Sequence, residues 1–316
     1  MARRRALFMD APARVSGALG SKVVWSILVV VIVLVVVPGG VSGLLTYRIV
    51  TARNDVETVT PLSSFQTSYV NLNFVDRRGR EHEGWLLVGY RGGPTIILCH
   101  GHGSNRSDLL AMGNLLQQNH FNVYLFNFHT AKARAKFSDL GSTQAEDLLD
   151  ALSEVVKQKG VNPRRVGIFG VNTGAYAALV VAQQSPLVKA LVVDTVFDHP
   201  SQMFESHVDM LLGGESHRAF RAMPDGLFHL LTLRRPKLPI RENMGKLEGM
   251  PKLFIEGRDA PLLAQQTVAL YDLSPQPKRL LVMDHSYTSL ASGAVKKEYE
   301  DQVLNFFFQN LPLRAD

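Results

Sequence analysis

The chain has 316 residues, 46% hydrophobic and 20% charged, a composition that excludes a disordered protein and suits one large α/β domain with a smaller appendage. A single cysteine, Cys99, excludes an intramolecular disulfide framework. The formal charge is +6, but no zinc-ligand spacing and no basic stripe interleaved with aromatics accompanies it, which argues against nucleic acid as a partner.

Part of that charge lies in a basic N-terminal segment, residues 1–22, where Arg3, Arg4, Arg5, Arg14 and Lys22 meet one acid, Asp10. Such a segment fits an anionic lipid surface. From Val23 to Val37 the chain is apolar except for Ser26, and the uncharged stretch runs on to Tyr47. About 20 residues cross a bilayer core, so residues 23–47 are long enough for a transmembrane signal anchor, with a kink expected at Pro38. A cleaved signal peptide is the rival reading, and Val41-Ser42-Gly43 matches an A-x-A cleavage site poorly. Only Arg48 and Arg53 follow the span closely. The charge balance therefore predicts a single-pass cell-membrane protein with a cytoplasmic N-terminus and the remaining chain outside the cytoplasm.

Residues 48–67 read as a linker. Tyr69–Val75 and Glu83–Val88 then flank Asp76-Arg77-Arg78-Gly79-Arg80, the pattern of an antiparallel hairpin. Strands are predicted at Thr95–Cys99, Val123–Phe128, Arg165–Gly170, Lys189–Asp194, Lys252–Ile255 and Arg279–Met283. Helices are predicted at Arg106–Gln118, Ser142–Lys157, Gly174–Gln184, Leu263–Leu273 and Lys296–Gln309. Strands as apolar on both faces as Thr95–Cys99 belong in a buried, mostly parallel sheet. Residues 199–250 interrupt this alternation with two amphipathic stretches, Phe204–Leu212 and Phe220–Leu231, a lid-like insertion.

Val166 to Leu179 carries the most specific local signal. A β-branched run stops at Gly170, Val171-Asn172-Thr173-Gly174 follows, and then come small helix formers. That is the strand, sharp turn and helix of a G-x-S-x-G nucleophile elbow, with Asn172 in the place of the serine. His100-Gly101-His102-Gly103, Asn172, Gly257-Arg258-Asp259 and Asp284-His285 each follow a predicted strand, so a parallel sheet converges them on one crevice.

With "PTIILCHGHGSNRSDL", "MPKLFIEGRD" and "RLLVMDH", residues 68–316 resemble the α/β-hydrolase superfamily, and within it the membrane-anchored bacterial esterase, lipase and acyl-peptidase-like group. The resemblance implies Asn172 at the nucleophile position, His285 as general base and Asp259 as the acid that orients it. It makes Asp194 the alternative acid and implies an oxyanion hole from the backbone N–H groups of Thr173 and of His102 or a neighbour. It implies no cofactor and no metal. His100 and His102 read as loop-shaping residues, Ser286 and Ser289 as loop hydrogen-bonders, and Cys99 as a small core residue.

The sequence departs from the family at three places. Asn172 offers nothing that a histidine can deprotonate into a useful nucleophile. Asn127–Lys132 replaces the usual Asp-x-Arg-Gly-x-Gly loop, and the acid loop is one residue short. Thr173, flanked by Val171 and Ala175 where an elbow has glycines and expected to point away from His285, is a disfavoured alternative nucleophile. Two functions follow as expectations. One is a catalytically impaired pseudohydrolase that binds a small acyl ligand or a protein partner. The other is an active hydrolase of ester or amide bonds with an unconventional nucleophile.

Overall fold

The structure, a computed structural model, describes residues 17–51, 59–131, 137–212, 218–233, 240–290 and 293–313. Met1–Ser16 and Lys132 thus lie outside the described residues, so the N-terminal arginines and the end of the Asn127–Lys132 segment have no structural account. Helix α1, Gly17–Val50, opens the described chain and stays helical through Pro38. Its stretch Lys22–Val50 is apolar and long enough to cross a membrane. Residues 23–37 are exposed, whereas Ser42, Thr46, Ile49 and Val50 are buried, so the last turns of α1 dock on the domain. A short helix α2, Pro61–Phe65, follows, capped by Thr60.

Strand β1, Tyr69–Asn71, comes next, then β2, Phe74–Val75, β3, Glu81–His82, and β4, Gly84–Leu87. The expected hairpin is split in two. β1 pairs with β4, while β2 pairs separately with β3 as a small ribbon. Asn73 makes the break, its side chain accepting from the Gly84 N–H at 3.1 Å. The remaining elements alternate: β5 Thr95–Cys99, α3 Leu110–Gln118, β6 Asn122–Phe126, α4 Ser142–Val155, β7 Val166–Val171, α5 Thr173–Gln184 and β8 Val188–Asp194. The lid follows as α6, Pro200–Leu212, and α7, Arg218–Thr232. Then come β9 Lys252–Gly257, α8 Pro261–Leu273, β10 Lys278–Met283 and α9 Ala294–Asn310.

The main sheet has the order β1-β4-β6-β5-β7-β8-β9-β10, with β4 antiparallel to both of its neighbours and every later pairing parallel. Core residues cover both of its faces. One cluster packs Ile97, Ile168 and Val193 against α4 and α5, and the other packs Leu98, Phe169 and Val192 against α3 and α9. Two-sided burial explains the unbroken apolar runs. After β5 the chain moves outward to β6 and then returns across β5 to β7. The carboxyl ends of β5 and β7 therefore frame the topological switch point, where open α/β sheets place ligands.

Candidate functional site

The elbow begins with backbone geometry. Asn172 follows β7 at φ 54° and ψ −114°, outside the regions that L-residues populate freely. Its N–H donates to the Asp194 carbonyl and its carbonyl accepts from the Tyr176 N–H, each at 2.9 Å, so both sides of the turn are pinned. The flanking glycines are there for space. A Cβ on Gly170 would overlap the Gly174 carbonyl, and one on Gly174 would overlap the Cys99 carbonyl. Strand, turn and helix are thus locked against the end of β5. The side chain of Asn172 does not cap α5, and its buried Oδ1 has no hydrogen-bond partner among the described residues. Thr173 opens α5, so its N–H is one that a helix leaves without an internal acceptor.

A cleft of about 380 Å³ lies over this turn, lined by Gly101–Ser104, Asp108, Asn172, Tyr287, Leu290 and Lys296. His100 is buried at its base. Its Nδ1 faces the Gly101 carbonyl at 2.9 Å, and its Nε2 accepts from the Phe128 N–H at 3.2 Å. The ring shapes the loop. His102 turns its ring away from the sheet, donating through Nε2 to the Ile49 carbonyl of α1 at 2.7 Å and meeting His207 of α6 edge-on at 5.2 Å. Burial, reinforced by His207, pushes the His102 imidazole down to about 3, which keeps it neutral at pH 7, and the Ile49 carbonyl fixes the remaining proton on Nε2.

The structure brings the two candidate acids to one loop, the segment after β10. Asp259 accepts from the N–H of Ser286 at 2.9 Å and from its hydroxyl at 3.1 Å. The fully buried Asp194 accepts from the Tyr287 N–H, the Tyr299 hydroxyl and the Thr195 hydroxyl, each at 2.7 Å. Burial pushes the Asp194 carboxyl up to about 6, against the pull of these three donors. His285 is exposed, does not line the cleft and makes no hydrogen bond among the described residues. Asp259 therefore holds the residue beside His285, and Tyr287 is the side chain this loop seats against the cleft. The Ser286 hydroxyl also lies 3.3 Å from that of Ser289. Cys99 is fully buried, its thiol pushed well up by burial.

Two cleft residues had escaped the sequence reading. Tyr287 donates from its hydroxyl to Glu300 at 2.8 Å, and the Lys296 ammonium sits 5.0 Å from the centre of the Tyr287 ring. Lys296 gives the cleft a cation, and the only sequence signal was its place in the first turn of the last helix.

The described part of the Asn127–Lys132 segment is fastened by contacts of its own. Asn127 takes the Arg106 N–H on its side chain at 2.9 Å and faces His82 Nδ1 with its carbonyl at 2.9 Å. His129 reaches Asp147 of α4 at 2.6 Å. Asp76, His82 and Asp147 bring three metal-ligand-type atoms within 4.8 Å of one another. Arg80 already binds both of those carboxylates, at 2.6 Å each, so the positive charge that a metal would bring is supplied by the guanidinium. Arg77 and Arg78 extend the contact to Asp150 and Glu146, clamping the ribbon onto α4.

Comparison with known proteins agrees with this architecture. No family model matches the chain. YfhR of Escherichia coli O157:H7, an uncharacterized protein, is 24% identical over 251 residues, covering 76% of this chain and 81% of that one. The Pyrococcus furiosus esterase Pf2001 superposes with a TM-score of 0.64 at 18% identity, covering 84% of this chain and 99% of the esterase. The dienelactone hydrolase of Anabaena variabilis gives 0.56 at 18% identity over 78% of this chain and 99% of that one. With the sheet order, the switch-point elbow and the lid insertion, these likenesses give the chain the α/β-hydrolase fold.

Proposed function

We propose that the protein is a membrane-anchored pseudohydrolase, which binds a small acyl ligand or a partner's acyl group at the elbow cleft without turning it over. One observation carries this reading: an intact elbow, strained backbone and both spacing glycines included, presents an amide where the fold places its nucleophile. A carboxamide nitrogen is no nucleophile, and no neighbouring base can make it one. The amide suits binding instead, because an acceptor left without a partner is stabilised by a ligand donor. Lys296 lines the cleft as a donor for a carbonyl or carboxylate, and Thr173, next to Asn172, opens α5 with an N–H that the helix leaves without an internal acceptor. His285, exposed and without a hydrogen bond, supports the same reading.

The competing reading, an active ester or amide hydrolase, draws on one feature: His285 still follows β10, beside a loop held by two carboxylates. Full-length protein in detergent micelles, tested with short-chain acyl esters and a fluorophosphonate probe, separates the two. The proposal expects neither hydrolysis nor labelling, together with saturable binding of a short-chain fatty acyl amide, whose N–H can donate to Asn172 Oδ1, that Asn172→Ala weakens. Ester turnover abolished by His285→Ala would overturn it. For location, we propose that α1 spans the cell membrane with residues 1–22 in the cytoplasm and the domain outside. Protein that resists alkaline extraction, with its domain open to protease added outside intact cells, is the expected result. A soluble form beginning near Leu44 would refute it.

A further inference from the structure

The lid carries exposed apolar side chains among the described residues. Met210 and Leu211 at the end of α6, and Leu230, Leu231 and Leu233 at the end of α7, are 47–69% exposed. Yet the same helices bury an aromatic seam, with Phe228 stacked on Phe204 at 4.6 Å. Both faces of the pair are therefore apolar, one turned inward and one outward. Patches of this kind on a soluble surface mark contact sites.

Their neighbour suggests what covers them. α1 packs along α7 and touches α6, and Met223 of α7 reaches Gly39 of α1. At 1.5 Å per residue, a bilayer core of about 30 Å starting at Val23 takes up about 20 residues and ends near Ser42. Gly39 thus falls inside the last turn of that span. α7 meets the anchor at the depth where hydrocarbon gives way to headgroups. Between Arg218 and Lys237 the sequence adds Arg218, Arg221, Arg234, Arg235 and Lys237 against a single carboxylate, Asp225, whereas Arg241 beyond them is paired with Asp198 at 3.1 Å. Amphipathic helices with cationic flanks lie in that boundary, and each cation near an anionic leaflet strengthens the contact.

We infer that the α6–α7 lid is a second membrane contact, lying in the headgroup boundary of the leaflet where α1 emerges, with its exposed leucines among anionic lipids. The inference rests on α1 spanning the bilayer. It holds the cleft against the membrane surface, because His207 of α6 packs on His102 of the cleft loop.

The test uses full-length protein in vesicles of phosphatidylcholine with phosphatidylglycerol, labelled at one introduced cysteine with an environment-sensitive fluorophore. Cys99 is fully buried, so the added thiol takes the label. Probes are placed at Leu230→Cys and Leu233→Cys, with Val30→Cys as the anchor reference and Lys159→Cys as the exposed reference. Acyl chains carrying a spin-label quencher should quench the two lid probes at least about twofold more than the Lys159 probe, as insertion of about 5–10 Å requires. Replacing phosphatidylglycerol by phosphatidylcholine should reduce that quenching. Equal quenching in the two lipids would overturn the anionic preference. A quenched Val30 probe beside unquenched lid probes would overturn the lid contact and leave the anchor standing. An unquenched Val30 probe would remove the anchor and the inference with it. Lid probes shielded from lipid but self-quenching as protein concentration rises would assign the patch to a second copy of the chain and overturn the inference.

Discussion

His102 donates through Nε2 to the carbonyl of Ile49 over 2.7 Å, so the loop lining the cleft is tied to the last turn of the apolar helix. The Ser138 N–H meets the neighbouring Val50 carbonyl at 2.7 Å. Two of the carbonyls that α1 leaves without internal donors are thus satisfied by the domain. The helix and the domain form one packed unit at that junction.

This tie makes stability depend on pH in a defined direction. His102 is held down at about 3 in the fold and returns to about 6.5 when unfolded. The unfolded chain therefore binds the extra proton between these values, and the contribution of His102 is complete above pH 6.5 and lost as pH falls towards 3. Asp194, raised to about 6, works in the opposite sense, losing stability as pH rises from about 4 to 6. The His102 effect is isolated by comparison with His102→Gln, which retains Asp194. From pH 7.5 to 5 the wild type should lose more melting temperature than the variant, with a limiting slope of about 1.4 kcal/mol per pH unit. Parallel pH profiles would remove His102 as the source.

Asn172 tests the elbow itself. At φ 54° glycine is at ease and a β-branched residue is not. Asn172→Gly should leave thermal stability near the wild-type value, while Asn172→Val should cost about 1–3 kcal/mol. Chemical denaturation of the two variants reads the difference directly, and equal midpoints would contradict the strained turn.

Gly174 and Gly226 make a contrasting pair. A Cβ on Gly174 would overlap the carbonyl of Cys99, whereas one on Gly226, inside α7, meets nothing within 4 Å. Gly174→Ala should destabilise by about 1–3 kcal/mol or more through overpacking. Gly226→Ala should stabilise by about 0.5–1 kcal/mol, as alanine does inside a helix. Calorimetry on both variants checks the opposite signs.

What the sequence revealed was local. Gly170, Asn172 and Gly174 sit within five positions, and their pattern alone foretold the turn. The parallel strands announced themselves through two-sided apolar runs such as Ile96-Ile97-Leu98. Pairings over long separations stayed hidden. Nothing near Asp194 in sequence shows that it holds Tyr287 and Tyr299, 93 and 105 positions away, or that Ile49 meets His102. The split of the hairpin at Asn73 was equally hidden, because β2 and β3 continue the same alternation as β1 and β4. Arg77 and Arg80 lie in the turn of the predicted hairpin, and the acids that α4 supplies to them, Asp150 and Asp147, lie 73 and 67 positions away.

That clamp has its own consequence. Asp147 is fully buried and serves both Arg80 and His129. Asp147→Ala would leave the buried His129 without its carboxylate and the partly exposed Arg80 with Asp76 alone, and should cost about 1–3 kcal/mol. Lys157→Ala removes an exposed pair with Glu154 and should change stability by less than about 1 kcal/mol. Denaturation midpoints for the two variants decide it, and similar values would show the network to be energetically ordinary.

Asn172→Ser asks whether the site is disarmed or dismantled. A serine at this turn would place a hydroxyl where Asn172 borders the cleft. It lacks an oriented base, because Asp259 is engaged by Ser286 and His285 makes no hydrogen bond among the described residues. An imidazole without its orienting acid costs about four orders of magnitude in a serine triad. Weak ester hydrolysis and slow fluorophosphonate labelling are expected, both lost on adding His285→Ala. Ser286→Ala in the Asn172→Ser background removes the hydroxyl on Asp259 Oδ2 and should raise the rate, because that oxygen becomes available to His285. A silent Asn172→Ser protein with an unchanged melting temperature would show that the loop held by Asp194 and Asp259 keeps His285 out of reach. Activity insensitive to His285→Ala would assign the base to another residue.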